Sequence, residues 1–261
     1  MLSLYDAARS RRRCAIGAID RLVLWNIDLT LLDDGRVSRD AYAEAFRRVT
    51  GRPLASLPQL AGRSDSEIFL EALALNDVPF AENESAEREL LARYFWELEE
   101  AFAARIDQIA TTGRLMPGAK QAVVAAAGLP GVVQSVLTGT IRPNAIYKLR
   151  AFDLDSFLDP QIGGYGDDAY PRGSLLLMSR SKAAEKYRTS IDADSTVYVA
   201  DTCRDIEAAG IGGARCIAVA TGRDTAAELQ EAGADVVLAD LSDTDQVIAA
   251  IDRLTRVPAG R

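Results

Sequence analysis

Histidine is absent from this sequence of 261 residues. Imidazole is the usual general base near neutral pH, the group that activates serine nucleophiles, and a frequent metal ligand. Mechanisms that depend on histidine are therefore excluded. Any chemistry in this chain must use carboxylates, hydroxyl groups, lysine or arginine, and a metal held by such side chains is expected to be a hard cation.

Cysteine and long apolar runs are also scarce. The three cysteines have no CxxC spacing, which argues against both a disulfide framework and a zinc site. No apolar run approaches the roughly 20 residues that a membrane span needs. The first twenty residues also lack the apolar segment of a signal peptide. We therefore expect a cytoplasmic protein with reduced thiols and no membrane partner.

Positive charge is in deficit, because 30 lysines and arginines face 38 aspartates and glutamates, for a net charge of −8. A nucleic-acid surface needs a basic face, so nucleic acid is not an expected partner. Hydrophobic residues make up 48% of the chain, which is enough for a sizeable globular core.

Apolar runs alternate with helix-period patterns along much of the chain, and this order is typical of a parallel sheet covered by helices. The runs that favour strands are 21–27, 132–137, 196–200, 216–220 and 236–238. The helical patterns lie near 117–127, 142–151, 173–187, 203–210, 224–231 and 243–254. The sequence therefore predicts an α/β fold with a doubly wound parallel sheet of the Rossmann type.

The stretch 38–109 differs from the rest because it has helix-period patterns and no convincing strand. Met116-Pro117-Gly118 then marks the return to the core, since proline suits a first helical position. We predict three parts, which are an N-terminal tail (1–19), an α/β core (20–35 and 116–261) and an inserted α-helical cap domain (36–115).

Polar residues follow three of the predicted strands. Asn26 and Asp28 follow the first strand, Thr138 the second and Asp201 the third. In open α/β sheets, ligands bind outside the carboxyl ends of the strands. The sequence therefore predicts a site at this edge.

Three segments, in order, resemble motifs of the haloacid dehalogenase superfamily. LWNIDLTLL (24–32) resembles the hydrophobic-DxDxT motif, VLTG (136–139) the strand that ends in Thr or Ser, and VADTCRD (199–205) the GDxxxD motif. The resemblance covers nearly the whole chain. It implies a phosphohydrolase core with a helical cap, similar to phosphatases of the phosphoglycolate and β-phosphoglucomutase kind. The implied reaction is hydrolysis of a phosphate monoester of a small metabolite.

The resemblance also implies catalytic roles. Asn26 occupies the position of the nucleophilic aspartate, and Asp28 that of the general acid and base. Thr138 and the backbone N–H of Gly139 would bind the phosphoryl oxygens.

Magnesium is the implied cofactor, because it needs hard oxygen ligands and few protein carboxylates. The implied ligands are the side chain at position 26, the backbone carbonyl of Asp28, and Asp201. Asp205, one helical turn later, would be a further ligand or a partner that supports the ligands.

A cation is also needed to balance the phosphate. Arg172, in the segment PRGSLLL, is the first choice, Lys182 the second and Lys148 the third. Their sequence context is too degenerate to decide among them.

A glycine-containing loop in the predicted cap resembles the specificity loop of capped phosphatases. Gly62 and Arg63 in this loop are candidate substrate contacts. Ser64 is predicted to cap the following helix, with Glu67 completing a capping box.

Asn26 is the main departure from the family pattern, since an amide is neutral and a poor nucleophile. Three interpretations stay open. The chain is a phosphatase altered deliberately at Asn26 to trap substrate, a natural pseudophosphatase that binds a phosphorylated ligand or a partner, or an enzyme that uses the metal and Asp28 for diphosphate or isoprenoid chemistry.

Overall fold

The computed structural model describes residues 19–79, 83–168 and 172–255, so the predicted N-terminal tail lies outside the described residues except for its last residue. The strands are, in chain order, β1 (Arg21–Trp25), β2 (Leu32–Asp33), β3 (Arg114–Leu115), β4 (Val132–Val136), β5 (Thr196–Ala200), β6 (Arg215–Val219) and β7 (Val236–Leu238). Five of them form one parallel sheet in the order β4-β1-β5-β6-β7.

Some of the helices cover this sheet, and the others form an insert between β2 and β3. They are α1 (Val37–Thr50), α2 (Asp65–Leu75), α3 (Glu84–Ala103), α4 (Ile106–Thr112), α5 (Ala119–Ala126), α6 (Arg142–Ala151), α7 (Arg172–Tyr187), α8 (Cys203–Gly212), α9 (Ala226–Glu231) and α10 (Thr244–Thr255). Within the described ranges, every helix lacks the combination of length and apolar character that a transmembrane segment requires.

Helices cover both faces of the sheet. All five residues of β1 are buried, as expected for a parallel strand with helices on either side. Val23 and Trp25 join one hydrophobic cluster with α5, α6 and α10, whereas Leu22 and Leu24 join another with α7, α8 and α9. This alternation follows from successive side chains pointing to opposite faces. The predicted doubly wound α/β fold is thus confirmed.

The register of β1 aligns the strand ends. Trp25 lies opposite Val136 of β4 and Val199 of β5. The residues that follow these three strands therefore emerge at the same level of the sheet, at its carboxyl edge.

The insert between β2 and β3 consists of α1 to α4 and has its own hydrophobic cluster. Phe69 and Tyr94 stack in this cluster with their ring centroids 3.9 Å apart. At its base, β2 and β3 pair in antiparallel fashion, with Leu32 opposite Leu115. This ribbon was absent from the sequence prediction, because two residues are too few to show a strand period.

The start of α2 confirms the predicted capping box. Ser64 accepts a hydrogen bond from the backbone N–H of Glu67, and the Glu67 carboxylate accepts one from the backbone N–H of Ser64. Both contacts satisfy amide groups that the first turn of a helix leaves without intrahelical partners.

Candidate active site

The turn after β1 holds the polar side chains of the first motif in place. Backbone hydrogen bonds join Leu31 to Ile27 (2.9 Å) and Leu29 to Leu32 (2.8 Å). Leu29 has a φ of +59°, a conformation that costs a non-glycine residue about 1–3 kcal/mol. The Thr221 hydroxyl donates to the Leu29 carbonyl over 2.6 Å and helps to hold this turn.

Asn26 connects the first sheet-edge motif, to which it belongs, to the third. Its amide nitrogen donates to Asp201 Oδ1 (2.9 Å) and to the backbone carbonyl of Asp28 (3.2 Å). The Thr30 hydroxyl donates to the same Asp201 oxygen over 2.8 Å. Asn26 and Asp201 are both buried, so these contacts lie away from bulk water.

The carboxylate of Asp28 reaches the cleft and is held from two sides. Lys148 Nζ lies 2.6 Å from Asp28 Oδ1, and the Thr140 hydroxyl donates to Oδ2 over 3.1 Å. The Asp28 side chain remains 43% exposed, which leaves it accessible to a ligand.

Lys148 is the cation that the structure brings beside Asp28. Its side chain is only 1% exposed and also lies 3.1 Å from Asp34. Burial alone would lower the pKa of Lys148, but Asp28 and Asp34 raise it above its ordinary value, so the ammonium group stays charged. Burial alone would likewise raise the pKa of Asp34, yet Lys148 and Ser38 lower it.

The second candidate cation, Lys182, lies away from Asp28. Lys182 donates to the Gly163 carbonyl and to Asp168, each over 3.0 Å, and is not among the residues that line the cleft. Arg172 is the first residue of α7, and its side chain lies outside the described part of the structure.

The predicted phosphoryl contacts of the second motif divide between the cleft and the interior. Gly139 lines the cleft, and so does Thr140, which the sequence did not single out. Thr138 is buried beneath them, and its hydroxyl oxygen accepts a hydrogen bond from the Thr140 backbone over 3.2 Å.

Asp205, a predicted metal ligand or supporting residue, lies below the cleft and does not line it. Its carboxylate accepts hydrogen bonds from the Thr202 hydroxyl (2.6 Å) and the Tyr198 hydroxyl (2.8 Å). In this position it stabilises the start of α8, where Thr202 caps the helix.

The cap loop closes directly onto the core. Gly62 has a φ of +68°, and a Cβ there would lie 2.9 Å from the Thr202 hydroxyl. A Cβ on Gly139 would lie only 2.0 Å from the Arg63 carbonyl oxygen. Glycine at both positions therefore permits the close approach of cap and core.

Asp65, which the sequence did not single out, joins the insert to the core at this cleft. Its carboxylate accepts hydrogen bonds from the Tyr42 hydroxyl (2.6 Å) and the Ile141 backbone (2.8 Å), and its own N–H donates to the Gly139 carbonyl (2.8 Å). Burial raises the pKa of Asp65 to about 6, although these hydrogen bonds oppose the shift.

The cleft has a volume of about 230 Å³ and mixed charge. Its acidic lining includes Asp28, Asp34, Asp65 and Asp201. Three arginines also line it, and they are Arg39 of α1, Arg63 of the cap loop and Arg223 after β6. Arg39 and Arg223 stand in no recognised motif, so only the folded chain reveals them as neighbours.

The residues present, as they are arranged, do not fit a magnesium ion. Magnesium needs oxygen ligands at about 2.1 Å in octahedral geometry. Two of the predicted ligand atoms, Asp201 Oδ1 and the Asp28 carbonyl, both accept N–H groups from Asn26. Among the described residues, no group of three or more histidine, cysteine, aspartate or glutamate side chains could hold a metal ion.

Several solved structures share this fold. A hydrolase from Pseudomonas syringae is 18% identical, with a TM-score of 0.61 over 89% of this chain and 99% of that chain. A putative β-phosphoglucomutase from Bacteroides vulgatus is 16% identical, with a TM-score of 0.62 over 97% of both chains. A β-phosphoglucomutase from Clostridium difficile is 13% identical, with a TM-score of 0.63 over 90% of this chain and 98% of that chain. No curated protein matches the chain.

Two family models match the sequence. The model of haloacid dehalogenase-like hydrolases matches residues 23–210, and a HAD-hydrolase-like model matches residues 177–244. The first match spans well over half of the chain and includes all three motifs at the sheet edge. The protein therefore belongs to the haloacid dehalogenase-like hydrolase family, as the resemblance predicted.

Proposed function

We propose that the cleft binds a small phosphorylated metabolite and that Asn26 severely limits its hydrolysis. The observation that carries this proposal is the arrangement around Asp28. Its carboxylate is exposed to the cleft, held by Lys148 and Thr140, and adjacent to Asn26. A general acid and base is thus retained beside a position that has no nucleophile.

The arginines that line the cleft support the proposal that its ligand is an anion. Arg39, Arg63 and Arg223 come from three separate segments and line one volume. Guanidinium groups bind phosphate through paired, directional hydrogen bonds. Two of the structural relatives are described as β-phosphoglucomutases, which agrees with a phosphorylated ligand.

Asn26 limits turnover for two reasons. An amide oxygen is a poor nucleophile, so the covalent step that divides phosphate-ester hydrolysis into two easier steps is lost. The amide is also engaged, because its nitrogen binds Asp201 and the Asp28 carbonyl. Loss of a catalytic unit in a hydrolase can cost about 10⁶ in rate.

The test is a phosphatase assay of the chain and its Asn26→Asp variant, with magnesium, on an aryl phosphate and a panel of phosphorylated metabolites. We expect the variant to be at least about 10³-fold more active, because most stabilisation in phosphoryl transfer comes from groups that are already positioned. The double variant Asn26→Asp/Asp28→Asn is the control and should lose this gain. A folded, magnesium-binding Asn26→Asp variant that stays inactive across the panel would contradict the proposal.

A further inference from the structure

We infer that the side-chain amide of Asn26 takes the place of a divalent cation in this site, so that the protein organises its cleft without magnesium. The inference rests on the proposed function in treating this cleft as the ligand site. It extends that function because it identifies Asn26 as the group that joins Asp28 to Asp201 at the sheet edge.

Both N–H groups of the Asn26 side-chain amide are engaged in hydrogen bonds. The nitrogen carries two N–H groups, and two acceptors lie near it, Asp201 Oδ1 at 2.9 Å and the Asp28 carbonyl at 3.2 Å. Both neighbours are acceptors, so only the nitrogen of the amide can face them, and the opposite orientation would set oxygen against oxygen. The amide therefore joins two oxygen atoms that the resemblance assigned as magnesium ligands.

Asp201 is further held in place around this contact. Its Oδ1 also accepts the Thr30 hydroxyl over 2.8 Å. A Cβ on Gly222 would lie 2.1 Å from Oδ2, so the backbone at that position packs closely against the second oxygen. A cation that entered here would have to displace two donors from a buried carboxylate, which costs free energy.

An aspartate at position 26 would reverse this situation. Its carboxylate would stand at hydrogen-bond distance from the Asp201 carboxylate, and both side chains are buried. Two carboxylates that share a buried site need a proton or a cation between them. Asn26→Asp is therefore expected to make the site dependent on a divalent cation, whereas the chain as it stands is independent of one.

The experiment measures Mn²⁺ binding by electron paramagnetic resonance, together with thermal unfolding in EDTA and in magnesium. For the unmodified chain we expect no saturable Mn²⁺ site and the same melting temperature in both buffers. For Asn26→Asp we expect one saturable site, at least about tenfold tighter than any residual binding, and a melting temperature that rises with magnesium. Asn83→Asp, which adds the same charge at an exposed helix cap, is the matched control and should behave like the unmodified chain.

Saturable Mn²⁺ binding by the unmodified chain that disappears in Asp201→Asn would overturn the inference. This measurement on the unmodified chain remains decisive even if Asn26→Asp does not fold. The outcome is also independent of the phosphatase assay. A metal-free native site with an inactive, metal-binding Asn26→Asp variant would contradict the proposed function and leave this inference standing.

Discussion

Lys148 has a central position among the acidic residues of the cleft. It is almost completely buried, yet its ammonium group contacts the carboxylates of Asp28 and Asp34. A buried cation of this kind is stabilised only by its partners, and the partners depend on it in turn. Asp28 is held at the cleft by this contact, whereas Asp34 is buried and depends on Lys148 and Ser38 for stabilisation of its charge.

Removing this cation should be costly for stability. We expect Lys148→Ala to lower the free energy of unfolding by about 3–5 kcal/mol, because Asp34 would remain buried without its ion-pair partner. Urea unfolding at neutral pH is the measurement. Lys120→Ala is the matched control, since Lys120 pairs with the exposed Asp153 and should change stability by less than about 1 kcal/mol. Equal effects of the two substitutions would contradict this view of Lys148.

The sequence could place some of these residues and not others, for a physical reason. Asn26, Asp28 and Asp201 were predicted to meet because strand ends in a parallel sheet align whatever the side chains do. The cation was ambiguous, and Lys148 was only the third choice, because Arg172, Lys182 and Lys148 all lie in helical segments. Which helix face meets the cleft depends on tertiary packing, which no single helix pattern specifies.

Among the elements of the fold, the turn into α5 illustrates a constraint that the sequence only hinted at. Met116-Pro117-Gly118 was predicted to mark the return to the core with proline at the first helical position, but α5 begins at Ala119, and Gly118 is its N-cap residue with a φ of +75°. Its Cα also packs against the segment that leads into α10, because a Cβ there would lie 1.9 Å from the Leu241 carbonyl oxygen. The contact itself was not predictable, since it joins segments more than a hundred residues apart.

Gly118 therefore offers a prediction with a close internal control. Gly51, at the end of α1, has a similar φ of +72°, but a Cβ there would meet nothing within 4 Å. Gly51→Ala should cost about 1–2 kcal/mol, which is the strain of the left-handed conformation. Gly118→Ala should cost at least about 2 kcal/mol more, because it adds a clash with backbone to the same strain. Denaturant unfolding of both variants is the measurement. Equal losses in the free energy of unfolding would show that a small backbone shift removes the clash at little cost in stability.

For the whole molecule, the important relation is between the helical insert and the sheet. The hydrophobic cluster of the insert extends to Ile141 of the core, and Phe102 of α3 stacks on Tyr147 of α6. A polar contact at the cleft joins the insert and the core as well. Asp65 binds Tyr42 within the insert and the backbone of Ile141 in the core, while its N–H binds Gly139. Asp65 thus connects the insert to the residues that line the cleft.

This contact predicts a pH dependence of stability. Burial raises the pKa of Asp65 to about 6 from an ordinary value of 3.8, so the folded state binds more protons than the unfolded state between about pH 4 and 6. The contribution of Asp65 is therefore greatest below pH 4 and falls as the pH rises to 6, by about 3 kcal/mol for a shift of this size. The asparagine in Asp65→Asn resembles the protonated side chain, so the variant should not lose this stability as the pH rises.

The measurement is urea unfolding of the unmodified chain and of Asp65→Asn at several values between pH 4 and 7.5. The difference between the two unfolding free energies should grow in favour of Asp65→Asn as the pH rises. It should level off above pH 6, since the Asp65 carboxyl group is then ionised in both the folded and the unfolded state. Asp40→Asn, at an exposed position of α1, is the matched control for the loss of one carboxylate and should show no such growth. Parallel profiles for the unmodified chain and Asp65→Asn would mean that Asp65 is ionised throughout this range and that the contact between cap and core does not depend on its proton.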